Sequence, residues 1–124
     1  LVLFSKDREN LNTDLYLVDK FEKAAQKLTS EFDFKVNSLI TGGDYNNELN
    51  LLALVSYNSK GNQYLILFEK FDLENLEENT FKKYKIPLER AQIESIKIID
   101  KNTFWVTSED EGIGNPFMYK LKVK

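Results

Sequence analysis

The chain has 124 residues, 42 % of them apolar and 13 % aromatic, with a formal net charge of −3. That is enough for one domain with its own core, and it excludes a disordered tail and a broad basic field for nucleic acid or anionic membrane. Cysteine and histidine are both absent, which removes disulfides, thiolate zinc sites, cysteine nucleophiles and serine–histidine triads together.

Ten strands are expected from β-branched, aromatic and alternating runs bounded by turn residues, at 1–5, 14–20, 26–32, 36–42, 50–57, 63–71, 80–86, 93–99, 103–108 and 116–123. Residues 21–28 carry helix formers at a helical spacing of Phe21, Ala24, Ala25 and Leu28. The corresponding later stretch, ending in Phe81-Lys82-Lys83-Tyr84-Lys85-Ile86, alternates like a strand, so a loop and outer strand are expected here instead. Gly42-Gly43-Asp44 and Asn46-Asn47 read as turns. Asn58-Ser59-Lys60-Gly61-Asn62 reads as a loop, and Asp100-Lys101-Asn102 as a tight hairpin connection. A single helical turn is expected within Leu73-Glu74-Asn75-Leu76-Glu77-Glu78. At the end of the chain Lys120, Lys122 and Lys124 alternate with Leu121 and Val123, which places the lysines on the wet face of one strand. No apolar run approaches the length of a membrane span. The chain opens on Leu1 inside an expected strand, and no signal segment is visible. A processed chain or a piece of something longer is expected.

Segments echo one another at a spacing of about fifty residues. Leu15-Tyr16-Leu17-Val18-Asp19-Lys20-Phe21 is echoed by Leu65-Ile66-Leu67-Phe68-Glu69-Lys70-Phe71, and Ala53-Leu54-Val55-Ser56 by Trp105-Val106-Thr107-Ser108. Short strands at such a period point to an all-β fold of antiparallel four-stranded meander blades, as in part of a β-propeller ring. On that reading 1–35 is a partial blade, 36–88 a complete blade and 89–124 a partial blade, together one β-repeat domain or fragment. A ten-stranded antiparallel barrel holding an apolar ligand is the alternative.

Few residues carry recognisable chemistry. Glu109-Asp110-Glu111, with Asn115, offers oxygens of the kind calcium takes, although an acidic loop exposed to water explains the string as well. No other cofactor is expected. Asp44-Tyr45-Asn46-Asn47-Glu48 starts like an EF-hand loop but has Leu49 where the glycine is required and Val55 where the glutamate is required. Glu94 with Asp110 is the one carboxylate pair suited to acid–base work, and Arg90 or Lys97 would neutralise Glu94 instead. Trp105, Tyr57, Tyr45 and Phe117 could form an aromatic platform, or simply core.

Arg90-Ala91-Gln92-Ile93-Glu94-Ser95-Ile96, Asn102-Thr103-Phe104-Trp105-Val106-Thr107-Ser108-Glu109-Asp110 and Met118-Tyr119-Lys120-Leu121 together resemble the blade pattern of secreted bacterial propellers of the phytase-like and esterase-like kind. The resemblance covers about a third of the chain. It implies that Glu94 lines a central channel and that Glu109 and Asp110 sit at its mouth. The chain departs from a catalytic phytase in lacking a dense aspartate set. The expected function is therefore a non-catalytic binding or scaffold module of an extracytoplasmic bacterial protein: periplasmic, cell-surface or secreted. Arg90, Glu94, Tyr57 and Trp105 are its candidate ligand- or channel-lining residues, and Glu109, Asp110 and Glu111 its candidate metal ligands. Expected partners are another protein, the remaining blades, or a second copy recruited by open sheet edges. The competing expectation is a fragment of a metal-assisted hydrolase acting on phosphoesters or glycosides. The absence of cysteine fits a cytosolic protein equally well.

Overall fold

A computed structural model describes residues 1–88, 92–109 and 116–124. Ten strands run in chain order: β1 (Val2–Phe4), β2 (Thr13–Leu17), β3 (Phe32–Phe34), β4 (Leu39–Asn46), β5 (Leu51–Tyr57), β6 (Gln63–Glu69), β7 (Lys82–Ile86), β8 (Gln92–Asp100), β9 (Thr103–Glu109) and β10 (Met118–Lys122). They form three antiparallel meanders with strand orders β1-β2-β3, β4-β5-β6-β7 and β8-β9-β10. The fold is all-β. Among the described residues the strands divide into three separate sheets, so the ten-stranded barrel alternative is not what forms.

The order of the layers follows from β5 and β6. A strand with one wet face alternates apolar and polar residues, whereas one covered on both faces reads as a continuous apolar run. Leu51-Leu52-Ala53-Leu54-Val55 and Leu65-Ile66-Leu67-Phe68 are such runs, and every one of these side chains is buried. Leu51, Ala53, Val55, Leu65 and Leu67 face Ile93, Ile96, Ile98, Phe104 and Val106 of the third sheet. Leu52, Leu54, Ile66 and Phe68 face Leu15, Phe34 and Val36 on the side of the first sheet. The four-stranded sheet is thus the middle layer, with one core on each face.

The core shared with the first sheet is aromatic. Phe34 packs edge-on to Phe68 with ring centroids 5.1 Å apart, and Phe68 meets Phe71 at 5.7 Å and Phe81 at 5.3 Å. Lys83 of β7 closes this side. Its Nζ donates to the Val36 carbonyl at 2.7 Å and lies 4.2 Å from the centre of the Tyr64 ring. That pins the chain where it crosses from the first sheet to the second. Partial burial there lowers the Lys83 ammonium below its ordinary value.

Connections depend on side-chain caps. Asn58 Oδ1 accepts from the amides of Lys60 and Asn62, and Gly61 takes a left-handed φ of 80°. Asp100 Oδ1 accepts from the amide of Asn102 at 2.8 Å in the expected β8–β9 hairpin. Residues 21–28 form neither helix nor strand, and the outer strand begins only at Phe32, later than expected. The helical turn expected near Leu73 is a short 3-10 turn at Leu76–Glu78. Lys120, Lys122 and Lys124 are all exposed, while Leu121 and Val123 pack against the core.

One expectation fails for an informative reason. Gly42-Gly43-Asp44 is not a turn but lies inside β4, just after a bulge between Ile40 and Gly42. A Cβ on Gly42 would stand 2.7 Å from the Glu94 carbonyl oxygen and 3.1 Å from the Ser95 Cα, both backbone atoms of β8. A Cβ on Gly43 would meet the Leu54 Cδ2 at 2.7 Å, the end of a side chain that can rotate. Gly42→Ala is therefore expected to lower unfolding stability by about 1–3 kcal/mol, the usual cost of forcing backbones apart in a packed layer. Gly43→Ala should cost clearly less, and urea denaturation of the two variants beside the parent compares them.

Candidate functional site

Two first strands, β4 and β8, meet where the second and third sheets adjoin. No ladder joins them, so side chains supply the hydrogen bonds. Thr41 Oγ1 donates to the Ile93 carbonyl at 2.5 Å. Asp44 Oδ2 accepts from the Ile98 amide at 2.8 Å and lies 3.3 Å from Lys97 Nζ. From β6, the buried Gln63 accepts the Ile93 amide on its Oε1 at 3.1 Å. β8 is the edge strand of its sheet, and unpaired edge amides invite foreign strands. Here the neighbouring sheet occupies two of them.

On its other face β4 borders a groove of about 710 Å³. Its floor is Ile40, Leu52, Leu54 and Phe71, and one wall is the stretch Leu1-Val2-Leu3-Phe4. The acidic side chains along it are Asp72 and Glu74; Asp44 also borders it, but its carboxylate is engaged by the Ile98 amide and Lys97 on the other face, and the Leu1 ammonium donates to the Val18 carbonyl. Tyr45 is exposed beside it, its ring 6.4 Å from Phe71 and its hydroxyl donating to Asn50 Oδ1 at 2.7 Å. Asp72 is fixed by its surroundings. The Asn75 side-chain amide and the backbone N–H of Glu74 donate to its carboxylate, at 2.9 Å each, and hold it below the ordinary carboxylate value.

The candidate residues read from the sequence do not gather into one site among the described residues. Glu94, half-buried on β8, accepts from Gln92 Nε2 at 2.7 Å. The Lys97 expected to neutralise it pairs with Asp44 instead. Tyr57 ends β5, with Lys6 Nζ 5.1 Å from its ring centre. Trp105 is 38 % exposed on β9, between Lys97 and Lys120 in register, on the face turned away from the middle sheet. Lys120 Nζ lies 5.8 Å from its ring. Tyr45, Trp105 and Phe117 are all exposed, so these three are not core, and no ring contact joins them among the described residues. Glu109 is exposed at the end of β9. Arg90, Asp110, Glu111 and Asn115 lie outside the described residues. Among the described residues no three acidic side chains cluster in a way that would hold a metal ion, and no helix is long and apolar enough to cross a membrane.

The residues that join the sheets, Thr41, Asp44 and Gln63, were not singled out from the sequence for that role. The one available signal was a glycine pair next to an aspartate inside an otherwise strand-like run. No protein-family model, curated protein or solved structure matches the chain.

Asp44→Ala strips the Ile98 amide of its acceptor and is expected to lower stability by about 1–3 kcal/mol. Lys97→Ala removes only the exposed half of the ion pair and should cost less than about 1 kcal/mol. Urea denaturation of both variants in low and high salt checks the difference: the ion pair, lost in both, is screened, so high salt should erase most of the Lys97→Ala cost and leave most of the Asp44→Ala cost. The capped Asp72 also titrates visibly. A carboxyl lowered in the folded state contributes stability above its unfolded value, and that contribution is lost as pH falls through the lower folded value. The Glu74 amide resonance is therefore expected to shift with a midpoint below 3.8, the ordinary aspartate value. An NMR pH titration measures it, and Asp72→Asn removes the transition.

Proposed function

We propose that residues 1–124 form a non-catalytic binding or scaffold segment of a β-propeller in an extracytoplasmic bacterial protein. The three sheets are neighbouring blades, the middle one complete. The observation that carries this reading is the junction of β4 with β8. The first strand of one meander lies against the first strand of the next, while both faces of the middle sheet are covered by adjoining meanders. Radial stacking of meanders around a centre brings first strands together in this way. The spacing of about fifty residues between sequence echoes supports the same arrangement. The extracytoplasmic bacterial setting rests on the resemblance to secreted bacterial propellers.

A closed ring typically takes about four to eight blades, so on this reading the segment works with further blades or with a protein partner. Binding would then use loops and grooves at the rim rather than a reactive centre. The isolated chain is expected to associate, with an average mass in light scattering that rises with concentration. Association with the remaining part of its native protein, or with a partner captured from native extract, should suppress that rise. A constant monomer mass over a hundredfold concentration range sinks the reading.

A further inference from the structure

We infer that the groove between β1 and β4 is the seat of an extended peptide strand, amphipathic and basic, which pairs antiparallel with β1. This inference rests on the blade reading above and names the kind of partner that reading calls for.

The first support is an unpaired edge. Leu1 exchanges hydrogen bonds with Val18, and the Ser5 amide donates to the Asp14 carbonyl at 2.9 Å. In an antiparallel ladder the bonded positions alternate. The N–H and C=O groups of Val2 and Phe4 therefore point away from β2, toward the groove. β1 is the edge of its sheet, and no strand pairs with that edge among the described residues.

The second support is the interface that already exists on the opposite face of β4. There β8 lies close enough to touch the Gly42 backbone, while β8 itself pairs antiparallel with β9. A strand added antiparallel to β1 would lie beside β4 from the other side and continue the same row of first strands. The side of β4 it meets offers Gly43, a residue without a side chain.

The third support is chemistry. The floor is apolar, and the acidic side chains left at the rim are Asp72 and Glu74, since the Asp44 carboxylate is held by the Ile98 amide and Lys97 on the other face of β4. A strand with apolar side chains on one face and lysine or arginine near Asp72 and Glu74 matches both features. Backbone pairing supplies the attachment, and alternate side chains supply the selectivity.

The test uses the 124-residue chain and the synthetic peptide Lys-Ile-Ser-Ile-Ser-Ile-Lys, followed by NMR. The Val2 and Phe4 amides are expected to shift saturably and to gain protection from exchange. Glutamate in place of both peptide lysines should weaken binding at least about fivefold. Glu74→Lys, at an exposed position, should shift the preference toward the glutamate peptide. A central proline should abolish binding, because it removes a ladder donor. Three results overturn the proposal: no response at Val2 and Phe4 up to millimolar peptide, equal binding of the proline peptide, or concentration-dependent shifts at these amides without peptide, which would make a second copy the occupant. Proximity signals between Gly42 and Ser95 report separately on the sheet junction. Their loss would count against the blade reading, whereas their presence without peptide binding would count against the strand inference alone.

Discussion

The architecture depends on the backbone of β8 coming close enough to β4 to leave no room for a side chain at position 42. Two sheets packed face to face normally sit about 10 Å apart, with side chains interleaved between them. At this junction the first strands come much closer, and two consequences follow. Position 42 must be glycine, and polar backbone groups on β8 come to face the neighbouring sheet. Thr41, Asp44 and Gln63 meet those groups. Unpaired, each would cost about as much as a lost hydrogen bond. Close approach and polar satisfaction are therefore one design, carried by a few residues of the middle sheet.

The middle sheet treats its two neighbours differently. Toward the third sheet it presents aliphatic side chains and a closed, hydrogen-bonded junction. Toward the first it presents a phenylalanine cluster and, beside β1, an open groove. The aromatic core holds the outer part of that interface, where Phe34 of β3 packs on Phe68 and Phe32 packs on Phe34. The inner part is held by little besides Val2 and Phe4. The floor of the groove is thus built in part from β5, a strand covered on both faces, and its buried side chains Leu52 and Leu54 are held in place by the core.

The strands were legible in the sequence where burial leaves a pattern. β5 and β6 announce themselves as continuous apolar runs because both faces are covered, and β10 by its alternation of lysine with apolar residues. Features set by distant neighbours were not legible. Gly42-Gly43 looks like a turn to any local rule, since the strand that demands a glycine lies about fifty residues further on. Asp44 looks like a turn residue for the same reason, and its amide partner on β8 is a tertiary fact. Trp105 carries the composition of a core residue but lies on the face of β9 turned away from the middle sheet. β3 is short and displaced because residues 19–31 are all exposed and bury nothing that would hold a longer strand. Of the candidate site, Glu94 was placed on the correct strand. Its partner Gln92, two residues away, is neutral and so leaves no charge pattern that would mark it.

Capping one sheet's edge with side chains from the next also bears on how stability is distributed. When each layer contacts only its neighbours, the whole behaves roughly as a row of units coupled pairwise. Here the coupling is more than apolar burial. The amides of Ile93 and Ile98 are held by Gln63 and Asp44, so the outer edge of the third sheet draws part of its hydrogen bonding from the middle sheet. The dependence is directional. The middle sheet lends acceptors to the third, while the edge of β1 draws none from the middle sheet among the described residues. Local opening should accordingly start at β1 and spare β8, even though both are edge strands. An edge whose outward N–H and C=O groups are unpaired, next to a preformed apolar floor, is the physical condition for accepting another strand, and the asymmetry places that condition on the first sheet.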